Sequence, residues 1–160
     1  MTQRTKLDAL DRRDFIAGAS AVAIATVVFG KAGLAHAQDK PQTFDDIYGK
    51  IVGEAKPEDG KVTIDMPEIA ENGNTVPYTV SVDSPMTDGD YVKTVHVLSS
   101  GNPSPNIATY HFSPLSGAAK VSSRMRLAKT QDIVAVAELS SGKKLIGKRT
   151  VKVTIGGCGG

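Results

Sequence analysis

The chain has 160 residues, 40% of them hydrophobic but only 5% aromatic and none Trp, with 19 Lys and Arg against 17 Asp and Glu and a single cysteine. One cysteine excludes an internal disulfide framework. The length is one domain's worth, and the scarcity of aromatics makes for a thin core that a permanent partner subunit would complete.

Arg12 and Arg13 form a twin-arginine pair, an apolar Ala-rich stretch runs from Phe15 to Gly30, and Ala35-His36-Ala37 supplies an A-x-A cleavage site. Charged, apolar and small-residue regions in this order read as an export signal of the twin-arginine type over residues 1–37. The apolar stretch is too short for a transmembrane span. Cleavage would remove five basic residues (Arg4, Lys6, Arg12, Arg13, Lys31) and three acidic ones (Asp8, Asp11, Asp14), leaving fourteen of each sign. A neutral mature chain gives no electrostatic reason to bind nucleic acid or an anionic membrane. The expected address is the periplasm.

Residues 38–155 read as one β domain. A helix opens it: Thr43 can cap, Asp46 stands at the capping-box position, and Phe44, Ile47, Ile51 and Val52 share a face that Gly53 and Pro57 terminate. The pattern then turns to period two. Val62, Ile64 and Met66 alternate with polar residues, as do Val76, Tyr78, Val80 and Val82. Further runs are Tyr91–Leu98, Ile107–Phe112, Ala119–Leu127, Ile133–Leu139 and Thr150–Ile155. Turn chemistry separates them at Glu71–Asn74, Ser84-Pro85, Asp88–Asp90, Gly101–Pro103 and Ser141–Lys143. This spacing predicts an all-β, immunoglobulin-like antiparallel β-sandwich.

The domain offers little chemistry of its own. His96 and His111 each fall inside a predicted strand, where a packing role competes with metal ligation, and no further His or Cys of the mature chain completes a usual ligand set. No nucleophile elbow, P-loop or dinucleotide fingerprint occurs. Asp88, Asp90 and Asn72 lie in turns, which favour these residues without any calcium. Lys143, Lys144, Lys148, Arg149 and Lys152 form a stretch without an acid. It reads either as a solvated hairpin face or as a patch that draws an anion or acidic partner toward the tail.

The chain ends Gly156-Gly157-Cys158-Gly159-Gly160. Glycines shield the sulfur from nothing and resist no backbone conformation, so a flexible glycine arm is expected, reaching roughly 17 Å when extended. Valine at Gly157 and Gly159 is expected to slow turnover and leave the fold intact. No neighbouring charge or helix N-terminus activates Cys158, so only a few per cent is thiolate at neutral pH. A thiol that waits to be acted on is a carrier's, not an enzyme nucleophile's.

The terminal Gly-Gly-Cys-Gly-Gly, the twin-arginine signal and the exported β domain together resemble the SoxY family, sulfur carriers of bacterial thiosulfate oxidation. Ile69-Ala70-Glu71-Asn72-Gly73-Asn74-Thr75-Val76-Pro77 and Asn106-Ile107-Ala108-Thr109-Tyr110-His111-Phe112 look like segments of that family at corresponding places. The resemblance implies that Cys158 is the covalent attachment point and that Gly156, Gly157, Gly159 and Gly160 form its swinging arm. It implies a second small β subunit like SoxZ and no cofactor on the carrier itself. It also implies a haem c enzyme that joins thiosulfate to the cysteine, a metal-dependent hydrolase that releases sulfate, and in many systems a molybdenum and haem sulfane dehydrogenase. Two other readings stay open on the residues alone. Cys158 can bridge two chains by a structural disulfide, and Gly159-Gly160 resembles the terminus of ubiquitin-like sulfur carriers, against which the export signal argues.

Overall fold

The computed structural model describes residues 41–157. Helix α1 (Phe44–Val52) starts where the capping signal predicts. Thr43 Oγ1 accepts a hydrogen bond from the Asp46 amide at 3.2 Å, and the Asp46 carboxylate accepts one from the Thr43 amide at 3.0 Å. The bond from the Thr43 amide first, then one that the Thr43 hydroxyl donates to the same carboxylate at 2.8 Å, hold the Asp46 carboxyl below its ordinary value. Gly53, at a φ of 60°, ends the helix in a conformation that costs glycine little.

Nine strands follow: β1 (Glu58–Asp59), β2 (Val62–Asp65), β3 (Ile69–Asn72), β4 (Val76–Val82), β5 (Val92–Ser99), β6 (Asn106–His111), β7 (Ala119–Met125), β8 (Gln131–Leu139) and β9 (Lys144–Ile155). They form two sheets. The larger runs β1–β9–β8–β5–β6, with β3 also on β9, and the smaller runs β2–β4–β7. This is the all-β sandwich with one short N-terminal helix that the alternation predicts.

Burial follows the pleat. Val76, Tyr78, Val80 and Val82 of β4 face Val95, Val97, Ile133, Ala135, Ala137 and Val151 of the larger sheet. On the sheet's other side Leu98, Val134 and Val136 lie under Phe44, Ile47, Ile51 and Val52 of the helix. Strand β8 is therefore covered on both faces, which explains why its apolar run is nearly continuous. Near one edge, the hydroxyls of Tyr78 on β4 and Tyr110 on β6 meet at 2.7 Å and link the two sheets.

The structure departs from the sequence reading in three places. Strands β1 and β3 run parallel to β9, with Glu58 opposite Leu145 and Ile69 opposite Lys152. They are too short to show alternation, so the antiparallel expectation passed over them. Glu71 and Asn72 close β3 rather than lying in the turn, which begins at Gly73. Strand β9 begins at Lys144 rather than at Thr150, because it pairs along its length with β8.

Candidate functional site

The last described residues are not loose. The Gly157 amide donates to the Leu127 carbonyl at 2.9 Å, the Leu127 amide donates to the Gly73 carbonyl at 2.8 Å, and the Gly73 amide donates to the Ile155 carbonyl at 2.8 Å. Three segments meet in this way: the turn after β3, the chain after β7 and the chain after β9. Gly157 is buried.

The contact is close enough to require glycine. A Cβ on Gly156 would stand 2.2 Å from the Ala128 carbonyl oxygen, and one on Gly157 would stand 2.7 Å from that of Gly73. Backbone atoms cannot step aside as a side chain can. The expectation of a flexible arm from Gly156 onward therefore changes at its root. Gly156 and Gly157 lie too close to neighbouring backbone to admit a Cβ without a shift. Cys158, Gly159 and Gly160 lie outside the described residues, as do Arg12, Arg13, Ala35 and Ala37.

Asn102 and Gln131, neither visible as a site in the sequence, brace this seat. Asn102 Nδ2 donates to the Arg126 carbonyl at 2.7 Å, and its Oδ1 accepts from the Ala128 amide at 3.0 Å. Gln131 is buried, and its Nε2 donates to Asn102 Oδ1 at 2.8 Å and to the Lys129 carbonyl at 3.1 Å. Its Oε1 accepts from the Gly101 amide at 2.7 Å. Gly101–Pro103 announced a turn, but nothing in a single sequence says that its Asn reaches across to residues 126–128.

Of the other candidate residues, Asn72 adjoins the seat, next to Gly73 and opposite Ile155, while His96, His111 and Asp90 are engaged elsewhere. His96 Nδ1 lies 3.1 Å from Thr109 Oγ1, and His111 Nδ1 lies 3.4 Å from Thr94 Oγ1. Burial holds the His96 imidazole below its ordinary pKa. Among the described residues no group of three or more His, Cys, Asp or Glu comes together. Asn72 accepts from the Asn74 amide at 2.9 Å, an Asx turn that uses its oxygen locally. Asp90 closes a turn with Thr87.

The basic stretch finds its acids on other segments. Lys143 meets Glu58 at 3.4 Å, Lys148 meets Asp132 at 2.9 Å and Arg149 meets Glu68 at 3.3 Å, while Lys144 Nζ donates to the Ile51 carbonyl. The hydrogen bond from Thr150, then Lys148, keeps the Asp132 carboxyl below its usual range. These exposed pairs neutralise much of the patch, which favours the solvated-face reading.

Fold and site together define a class: a small β-sandwich whose described residues hold no catalytic constellation, with the one thiol of the sequence placed just beyond a seated last strand. The chain belongs to the SoxY family, since its residues 48–158 match the family described as sulfur oxidation protein SoxY. The structure of the sulfur carrier protein SoxY from Chlorobium limicola f thiosulfatophilum is similar over 69% of this chain and 91% of its own, at 33% identity and a TM-score of 0.59. A superoxide reductase (neelaredoxin) from Ignicoccus hospitalis matches at 16% identity over 59% of this chain and 80% of its own, with a TM-score of 0.53. The superoxide reductase from Nanoarchaeum equitans matches at 14% identity over 61% and 99%, with a TM-score of 0.51. These last two share the fold alone. A comparison with curated proteins gave no match. Membership in this family supports a sulfur-carrier role for the chain.

Proposed function

We propose that the protein is a periplasmic sulfur carrier, exported by the twin-arginine route, that holds thiosulfate-derived sulfur covalently on Cys158. The observation that carries this reading is the position of Cys158, the sole cysteine, one residue past the seated Gly157 in a chain of the SoxY family. In the first step an S–S bond forms between Cys158 Sγ and the outer sulfur of thiosulfate, and two electrons and the thiol proton leave. A haem c partner enzyme accepts the electrons. Water then cleaves the bond to the sulfonate, releasing sulfate and leaving a persulfide on the cysteine. A sulfane dehydrogenase, where present, oxidises that outer sulfur. A SoxZ-like β subunit completes the carrier, consistent with its aromatic-poor core. The carrier needs no cofactor of its own, because the reacting atom is its own sulfur.

Intact-protein mass spectrometry of material from the native periplasm, with and without reductant, tests this. The expected result is a chain starting after Ala37 that carries reducible adducts of about 112 Da for thiosulfate and about 32 Da per extra sulfur. A mass of two linked chains that takes up no sulfur under thiosulfate feeding would replace the carrier with a structural disulfide.

A further inference from the structure

We propose that Gly73 and Asn102 are positioning residues for the carrier thiol, fixing where the C-terminal segment leaves the sandwich by acting through the backbone of Leu127 and Ala128. The inference rests on the carrier reading. Leu127 is the hinge pin of the arrangement. Its side chain is fully buried, its amide donates to Gly73 and its carbonyl accepts from Gly157. Asn102 holds the residues on either side of it, Arg126 through a carbonyl at 2.7 Å and Ala128 through an amide at 3.0 Å. Gln131 locks Asn102 in turn, at 2.8 Å.

Irregular backbone between two strands has no ladder to order it, so a single amide side chain that satisfies both a carbonyl and an amide there substitutes for one. Gly73 does the complementary task. A Cβ on it would meet the Leu127 carbonyl oxygen at 2.2 Å and the Gly157 nitrogen at 2.6 Å, so only glycine lets all three segments close. The segment Ile69–Pro77, whose role a turn alone does not explain, thus supplies one wall of the seat.

The consequence for the carrier is entropic. An enzyme that takes the cysteine must order every free residue between it and the domain, and each ordered residue weakens binding. A seat at Gly156 and Gly157 has those two ordered in advance. Cys158 follows directly on Gly157 in the sequence, so no further residue intervenes between it and the seat.

The test uses the mature chain with its partner subunit and the haem c enzyme, in three variants. Asn102→Ala removes all three side-chain bonds. Asn102→Asp keeps the acceptor for Ala128 and Gln131 and loses the donor to Arg126. Gly157→Ala displaces the root at the end of the chain, where the fold has least to lose, and carries the test if Asn102→Ala does not fold. The readouts are amide exchange at Gly157 against Val97 in the core, and KM and kcat for the carrier as substrate. Asn102→Ala and Gly157→Ala are expected to speed exchange of the backbone amide at position 157 about tenfold without moving Val97, and to raise KM about tenfold with kcat nearly kept. Asn102→Asp should fall between them and the parent. Faster Gly157 exchange with an unchanged KM would overturn the positioning role and leave a tie for the last strand. Unprotected Gly157 in the parent would overturn the seat. A parent that takes up no sulfur would instead sink the carrier reading, while the exchange data still decide on the seat.

Discussion

A methyl group on Gly73 would meet the amide nitrogen of Gly157 at 2.6 Å, and one on Gly157 would meet the carbonyl oxygen of Gly73 at 2.7 Å. The clearance is reciprocal: each glycine makes room for the other's backbone. Gly73→Ala is therefore expected to lower stability by about 2 kcal/mol, in the range of overpacked sites, because the obstructing atoms are backbone. Urea denaturation of the mature chain measures it. A loss within a few tenths of a kcal/mol would mean that the three segments separate freely.

The Tyr78–Tyr110 contact joins two strands of different sheets at 2.7 Å. Burial first, then the Tyr110 hydroxyl, pushes the Tyr78 phenol above its ordinary pKa. The folded protein then holds the phenolic proton more tightly than the unfolded chain. Stability from this source is complete below about pH 10, the unfolded value, and falls as the pH rises above it. Tyr78→Phe should flatten the alkaline limb of a stability–pH curve. A double-mutant cycle with Tyr110→Phe should give a coupling of about 1 kcal/mol at neutral pH.

His96 titrates in the opposite sense. Desolvation lowers its pKa, with His111 and Lys144 acting in the same direction and Glu138 against them. The unfolded chain takes up the proton first, so stability falls as the pH drops below about 6.5, toward the depressed folded value. His96→Gln should remove part of this acid sensitivity. Thermal melts at pH 7.5 and 5.5 compare the two proteins, and an identical loss in both would reject the assignment.

The helix is expected to be an integral part of the fold. Leu98 is fully buried beneath it, on the sheet face away from the main core, whereas Leu115 is 98% exposed. Leu98→Ala should cost about 3 kcal/mol and Leu115→Ala almost nothing. Equal costs would mean that α1 does not cover the sheet in solution.

Period-two alternation was sufficient to reveal β4 and β7, because they have one face in the core and one outside it. It failed for β1 and β3, whose place is fixed by pairing with a strand some eighty residues later in the chain. The start of α1 was legible because capping is local, with Thr43 and Asp46 only three residues apart. The candidate residue Cys158, which lies outside the described residues, was legible among glycines, since composition alone exposes a sulfur. Its seat was not. Asn102 and Gly73 come from two turns that look alike in sequence and Leu127 from the end of a run read as strand, and their meeting depends on the sandwich. The close approach at Gly156 and Gly157 was hidden as well, because a glycine looks the same in sequence whether it provides freedom or closeness.

Strand β9 carries one further consequence. It is hydrogen-bonded along one edge to β8 and along the other to β1 and β3. A pull on the C-terminus, as when a tail is drawn out of a narrow tunnel, runs along this strand. It loads the bonds to β8 and to β3 together, sideways to their direction, before any single bond can be peeled. The domain is thus built like a rope splice, with β8 holding the strand as far as Val151 and β3 holding it from Lys152 to Ile155, and tension on the end is shared by the sheet.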